Sequence, residues 1–283
     1  MKTNIASVTV LYNPDKDFLS NIYSYANYVS LVILVDNSEN PDPSFYTQLQ
    51  KDCRVELIIN RENKGIATAL NQGIELAAIN GFDWALTMDQ DSFFEKAMIE
   101  KYIETFSRIP EKETVAVMGP MVEKNIQPGI TEAIEVTSLI TSGSLVNIPV
   151  FNKIGGYNEP LFIDEVDHEY CYRSKLKGFS ILQLQHIFLQ HTLGKTKNVT
   201  TISGKKNKSK TFHSPIRLYY IVRNSCYVIA NYKKEFPAEM KVKRKDVLVR
   251  IKNNFLYGND KIAVIKYVIR GFFDYKRKRF GKN

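Results

Sequence analysis

The sequence predicts an α/β protein built on a mostly parallel central sheet, and three observations predict it. Short apolar, β-branched runs recur along the first 120 residues, separated by stretches whose apolar residues fall at helical spacing. Each run is nearly continuous in its hydrophobicity, so it has no polar face and must be covered on both sides. The first four also stop at or next to Asn or Asp, which marks a common end for those strands. Alternating strand and helix with right-handed crossovers brings such ends to one edge of a sheet, where open α/β folds place their ligands.

The elements follow in order. Val8 to Tyr12 is a first strand closed by Asn13, Pro14 and Asp15. The start of the chain has too brief an apolar core and no small-residue cleavage site for an export signal, so it is read as part of that strand. Phe18, Leu19, Ile22 and Tyr23 predict a helix, and Leu31 to Val35 a second strand ending in Asp36, Asn37 and Ser38. Pro41 and Pro43 mark a loop. Val55 to Ile59 is a third strand running into Asn60–Gly65, after which Ala67, Leu70, Ile74 and Ala77 form a helical stripe with Asn71 and Gly73 on other faces.

Trp84 to Met88 is the fourth strand, and it stops at two carboxylates, Asp89 and Asp91, separated by Gln90. In extended chain alternate side chains point the same way, which lets the pair face one site. Two anions held that close repel unless a cation or donor lies between them, and a hard divalent ion satisfies that need. An Asp-x-Asp turn taken alone serves equally as turn chemistry and helix cap; its company at the strand edge favours a site. Ser92 to Glu95 reads as a capping box for a helix carrying Met98, Ile99, Tyr102, Ile103 and Phe106. Val115 to Gly119 is the fifth strand, and Ser142 to Val146 a further strand entered through Gly143, where backbone must pass close to something.

Composition bounds the function. The 283 residues, 44% hydrophobic, suffice for one large domain and an appendage, and no apolar run is long enough to span a bilayer. Cys53, Cys171 and Cys226 are widely spaced in no ligand pattern, which fits free thiols in a reducing cytoplasm. The net charge of +9 is concentrated late: residues 241–283 carry fourteen Lys/Arg against three Asp, net +11, which leaves −2 for residues 1–240. That asymmetry points to an anionic surface met by one end of the molecule and not to a nucleic-acid domain. The strand edge holds amide and carboxylate groups suited to a sugar and a heterocyclic base. Neither a Gly-x-Gly-x-x-Gly nor a Gly-Lys-Ser loop is present, which argues against dinucleotide dehydrogenases and P-loop ATPases.

Asp36-Asn37-Ser38, the run Asn60, Asn63, Gly65, Ala67, Leu70, Asn71, Gly73, and Met88-Asp89-Gln90-Asp91-Ser92 together resemble glycosyltransferase family 2, most of all its bacterial rhamnosyltransferases. The resemblance covers roughly residues 5–225. It implies a GT-A type nucleotide-binding fold, a nucleoside diphosphate sugar as donor and a divalent cation, Mg2+ or Mn2+. By the family's pattern Tyr12, Asn13, Asp36, Asn63 and Gly65 would line the nucleotide pocket, Asp89 would lie near the ribose, and Asp91 would hold the metal. Residues 1–215 would form the catalytic domain, with a nucleotide-binding half to about residue 120 and an acceptor half after it. Residues 216–283 would add a basic helical segment.

Four carboxylates fall within six residues at Asp164, Glu165, Asp167 and Glu169. Acids also favour the first turn of a helix. Alignment on Arg173 puts Asp167 at the position that, in the family, looks like the catalytic base, and crowding by its three neighbours is expected to raise its proton affinity. Inverting glycosyl transfer needs a base of this kind, because the acceptor hydroxyl must lose a proton as it attacks. His191 matches the family's position for a further metal or diphosphate contact, with His186 as a second candidate nearby. Lys195 to Lys210, without periodicity, predicts a mobile loop. His213-Ser214-Pro215 opens a helix on which Arg217 and Arg223 could meet phosphate or form surface salt bridges.

The tail reads as two basic amphipathic helices, packed on the catalytic domain or docked on an anionic membrane surface. The resulting expectation is a cytoplasmic or peripheral, metal-dependent transferase moving L-rhamnose from dTDP-L-rhamnose to a saccharide or lipid-linked saccharide, with no nucleic-acid partner. A nucleotidyltransferase of activated sugars and a non-catalytic basic adaptor are the competing readings.

Overall fold

The computed structural model describes residues 4–52, 54–121, 132–191, 196–199 and 208–283. Cys53 and the middle of the Lys195–Lys210 stretch lie outside the described residues. The chain gathers into two compact units, one of residues 1–162 and 166–192, the other of residues 163–165 and 193–283.

In the first unit, β1 (Ile5–Leu11), α1 (Phe18–Ala26), β2 (Leu31–Asp36), α2 (Pro43–Asp52), β3 (Val55–Ile59), α3 (Ile66–Ile79) and β4 (Trp84–Asp89) follow in strict alternation. A short β5 (Ser92–Phe93), α4 (Lys96–Arg108), β6 (Val115–Met121), β7 (Ala133–Glu135) and β8 (Ser144–Asn147) come next. α5 (Ile148–Ile154), α6 (Val166–Leu176), β9 (Ser180–Phe188) and β10 (Gln190–His191) complete it. The main sheet has the order β3-β2-β1-β4-β8-β6-β9-β7. The strands β3, β2, β1 and β4 are parallel, in keeping with their near-continuous hydrophobicity. β8 runs antiparallel between β4 and β6, so the fifth predicted strand is not the neighbour of the fourth.

Strand alternation assigns the two faces. Ile5, Leu11, Val32, Leu34, Leu86 and Met88 share one core with Phe18, Ile22 and Tyr25 of α1, Leu49 of α2 and Ile99, Tyr102 and Phe106 of α4. α3 covers the opposite face. Gly73 is part of its buried side and not of a separate one, because any Cβ there would lie 2.3 Å from Val8. Each large apolar side chain buried this way contributes about 1.5–3 kcal/mol.

Two local readings change. Pro43 opens α2 instead of marking a loop: its missing N–H is tolerated in a first turn, and Asp42 caps the helix by accepting from the Ser44 amide at 2.9 Å. Ser92 is paired in β5 against His191 and lies before α4, which begins later, after Glu95.

The second unit contains a hairpin, β11 (Thr196–Val199) with β12 (Lys208–Thr211), and three helices, α7 (Pro215–Tyr232), α8 (Pro237–Tyr257) and α9 (Lys261–Lys276). Residues 196–199 and 208–211, within and just beyond the stretch read as a mobile loop, pair as antiparallel strands, and residues 200–207 lie outside the described residues. Ser214 caps α7 by accepting from the Arg217 amide at 3.3 Å, with Pro215 in the first turn. Leu218, Ile221 and Val264 form the centre of the helical core, with Val247 and Val268 against them. Arg223 is fully buried in that unit. Its guanidinium sits 5.0–5.3 Å from the rings of Tyr219, Tyr220 and Phe280 and donates to Asn224 Oδ1 and the Gly281 carbonyl. It is therefore neither a phosphate contact nor a surface ion pair. Arg217 does form an ion pair, with Asp164 at 2.9 Å.

Candidate active site

The carboxyl ends of the parallel strands carry the candidate residues. Tyr12 and Asn13 leave β1, Asp36 ends β2, Asn63 and Gly65 lie between β3 and α3, and Asp89 ends β4. Hydrogen bonds join these ends. The Asn13 amide donates to Ser38 Oγ at 2.7 Å, and the Asn37 side chain donates to the Gly65 carbonyl at 3.1 Å. Asn60 donates to Asn37 Oδ1 and to Gln72 Oε1, each at 2.8 Å. Asp36 is buried, its carboxylate accepting from the Ser38 amide at 2.6 Å and from the Tyr46 hydroxyl. Burial, then the Asp36 carboxylate, raises the Tyr46 phenol above its ordinary pKa, which keeps it a donor.

Gln90 holds the first and fourth strand ends together. Its Oε1 accepts from the Tyr12 amide at 2.8 Å and its Nε2 donates to the Tyr12 carbonyl at 3.3 Å. Asn21 of α1 donates to the Gln90 carbonyl at 2.9 Å. The extended chain stops at Asp89, and Gln90 and Asp91 form a turn, so strand alternation does not set the direction of Asp91. Asp89 is half-buried, with its amide bonded to Ser142 Oγ, and Asp91 is exposed. His191 is paired by backbone with Ser92, the residue after Asp91; its side chain lies outside the described residues.

Asn63 and Gly65 explain the entry to α3. Asn63 Oδ1 accepts from the Gly65 amide at 3.0 Å, and Gly65 has φ +87°. A side chain there would be strained in backbone, and its Cβ would lie 2.6 Å from Phe162. The Ile66 amide donates to the Phe162 carbonyl at 2.8 Å, so a residue from the far half of the unit caps α3 at the carboxyl edge of the strands. One turn on, Asn71 donates to the Tyr157 carbonyl and Glu159 and accepts from the Tyr157 amide, at 2.8–3.0 Å. The 157–162 segment is thereby tied along α3. Gly143, as expected of an entry glycine, passes close to its surroundings: a Cβ would lie 2.9 Å from Pro120.

The acid cluster does not stay together. Asp167 and Glu169 open α6 in the first unit, whereas Asp164 and Glu165 belong to the second. Asp164 is bonded to Arg217, Glu165 to Lys243 at 2.5 Å, and Glu169 to Arg173 at 2.9 Å. Each of the three is answered by its own cation, so the four carboxylates do not form one shared cluster around Asp167. Asp167 is half-buried and accepts from the His168 amide at 2.8 Å. Arg173 also donates to the Ile154 and Gly156 carbonyls, pinning α6 to the segment before it. Cys171, on the same helix, is buried, and burial pushes its thiol up to about 12, so it is an inert packing residue.

Among the described residues, no group of three or more His, Cys, Asp or Glu side chains gathers as a ready metal cluster. The donor chemistry at the β4 turn nevertheless fits a hard cation, since two carboxylates one residue apart offer oxygen ligands to Mg2+ or Mn2+. Gln90, Ser38, Asn60 and Asn71 are the residues whose structural roles single-residue inspection passes over. Their signal is position: each is an amide or hydroxyl group placed just beyond an apolar strand or on the first turns of the following helix.

Solved structures share this architecture. GalNAc-T7 with UDP, GalNAc and Mn2+ superposes with a TM-score of 0.60 at 14% identity, over 97% of this chain and 56% of that one, so the chain spans little more than half of it. S. aureus TarS 1-349 in complex with UDP superposes with a TM-score of 0.53 at 14% identity, over 96% of this chain and 79% of that one. The fold is the GT-A type, with C-terminal helices added. The family described as glycosyl transferase family 2 matches residues 8–133. The dTDP-rhamnosyl transferase RfbF of Shigella flexneri is 31% identical over 250 residues, which are 80% of this chain and 79% of that protein. The chain belongs to glycosyl transferase family 2 and is a glycosyltransferase.

Proposed function

We propose that this chain transfers L-rhamnose from dTDP-L-rhamnose, with inversion, onto a saccharide or lipid-linked saccharide at the cytoplasmic face of a membrane. The observation that carries the reading is the relation to a dTDP-rhamnosyl transferase along four fifths of the chain. The strand edge supports it. Tyr12, which is 45% exposed, offers a ring face for the nucleotide base, with Asn13, Asn63 and Gly65 around it and Asp36 shaping the loop from beneath. Asp89 serves the ribose side. Asp91 and His191 would hold a divalent cation, which when bound offsets the charge gathered on the leaving diphosphate.

The chain's own residues do the rest. The acceptor oxygen attacks the anomeric carbon as the bond from that carbon to the diphosphate oxygen breaks, and the leaving diphosphate takes the electron pair. Asp167 receives the acceptor's proton. The tie between α3 and the 157–162 segment supports a common edge for donor and base, because the same helix meets the nucleotide loop at Gly65 and the approach to α6 at Tyr157.

Replacing Asp167 with Asn keeps the shape and removes the base. Transfer is expected to fall at least about 100-fold with donor affinity unchanged, checked by turnover and calorimetry. Near-normal turnover removes Asp167 from the role. A thermal-shift panel of nucleotide sugars, with and without Mn2+, is expected to show stabilisation by dTDP-L-rhamnose that chelator abolishes; a larger, metal-independent shift with another donor overturns the assignment.

A further inference from the structure

α9 carries two apolar stripes, and only one of them is used inside the second unit. At about 100° per residue, Val264, Val268 and Gly271 fall on one side of the helix and Ile262, Ile265, Ile269, Phe272 and Phe273 on another, roughly 130° around. The first side packs on α7, where a Cβ at Gly271 would lie 2.6 Å from the Tyr219 carbonyl oxygen. The second side stays open to solvent: Ile262 is 82% exposed, Ile269 51% and Phe273 51%. Exposure of five large apolar side chains in one stripe is unusual for a helix whose other face already supplies the packing.

Cations flank that stripe. Lys266, Arg270 and Arg277 run along one border. The Lys276 ammonium lies 5.6 Å from the Phe272 ring centre and the Arg277 guanidinium 5.9 Å from that of Phe273. A cavity of about 460 Å3 adjoins it, lined by Arg270, Arg277, Arg279 and Lys282 with Tyr219 and Phe273. Its one acidic side chain, Asp274, is occupied by the Tyr219 hydroxyl at 3.1 Å and by Arg270 at 3.6 Å. Cations therefore dominate the cavity wall.

We propose that α9 docks the chain on an anionic lipid surface, its exposed stripe entering the acyl boundary while Lys266, Arg270, Arg277 and Arg279 hold lipid phosphates. Apolar and cationic groups on one border suit the interface, where both phases are present. A nucleic acid offers no apolar phase to Ile262, Ile265 and Ile269. A second copy would set one +11 segment against another. No helix among the described residues is long and apolar enough to cross a bilayer, so α9 would lie on the surface. The inference deepens the proposed function, on whose membrane-presented acceptor it rests.

Sedimentation of the full chain with vesicles tests it. Strong binding is expected to vesicles containing about one third phosphatidylglycerol, and at least about tenfold weaker binding to phosphatidylcholine alone or at high salt. Ile265→Glu/Ile269→Glu, at exposed positions, is expected to keep its melting temperature and lose at least about tenfold in vesicle binding. Equal binding by the variant, or none by the wild type, overturns the proposal. So does a wild-type dimer in ultracentrifugation that the variant converts to monomer, since a second copy then covers the face. Nucleotide-sugar binding on the same samples separates the two readings: vesicle binding without any donor affinity sinks the transferase reading alone, and donor affinity without vesicle binding sinks the docking alone.

Discussion

Gln90 acts like a short piece of backbone, accepting from the Tyr12 amide and donating to the Tyr12 carbonyl between two strand ends. Its place between Asp89 and Asp91 thus joins the Asp-x-Asp turn to Tyr12, the residue proposed to meet the nucleotide base. Gln90→Ala is expected to cost about 1 kcal/mol in stability, as one or two neutral hydrogen bonds do. It should weaken donor binding about three- to tenfold by freeing Tyr12. Titration of donor against the variant checks this, and unchanged affinity would assign Gln90 a purely local role. At the same scale the family residues divide into two kinds. Asp36 and Asn63 are engaged by neighbouring main chain, Asp36 with the Ser38 amide and Asn63 with the Gly65 amide. Tyr12, Asn13 and Asp91 are exposed.

At the scale of elements, α3 and α9 each depend on a close approach. α3 is entered through Gly65, whose φ is +87° and whose missing side chain leaves the space that Phe162 fills. α9 crosses α7 at Gly271, with the Tyr219 carbonyl beneath it. Gly271→Leu cannot be absorbed by a flexible neighbour, since the atom in the way is backbone. It is expected to destabilise the helical unit by about 1–3 kcal/mol and to expose α9 amides to hydrogen exchange. Protection equal to wild type in α9 would contradict the crossing. The periodicity of both helices is plain in the sequence, but Gly271 looks there like a helix-weakening residue, and only the crossing shows why a glycine stands at that turn.

At the scale of the whole molecule, pH bears on stability through the second unit. Burial, then the Arg250 and Arg217 charges, lowers the His213 imidazole to about 4. The folded state therefore resists taking up a proton that the unfolded chain binds below about 6.5. The unfolded state holds more protons in the window from 6.5 down to 4, so stability falls as pH falls through it and levels off below. The site is partly open to solvent, so the loss is about 1–2 kcal/mol after screening. Asp164, raised mainly by burial although Arg217 opposes the shift, acts with the opposite sign, losing stability as pH rises above its unfolded value. Urea midpoints measured from pH 7 to pH 4 are expected to fall less for His213→Gln than for wild type; parallel curves would remove His213 as the cause.

What the sequence determined alone was local and periodic: four parallel strands with polar ends, the helical stripes of α1, α3 and α4, and the motif residues of a glycosyltransferase of family 2. These were legible because a buried strand must be apolar along its length and a covering helix must repeat every 3.6 residues, whatever lies elsewhere. Tertiary structure decided what depends on distant partners. It inserted β8 between β4 and β6 and divided four adjacent carboxylates between two units. It paired Asp164, Glu165 and Glu169 with separate cations, buried Arg223 among three rings, and packed one stripe of α9 while leaving the other exposed. Charge pairing and close packing are set by residues far apart in the chain, and no local pattern of amino acids encodes which of them will meet.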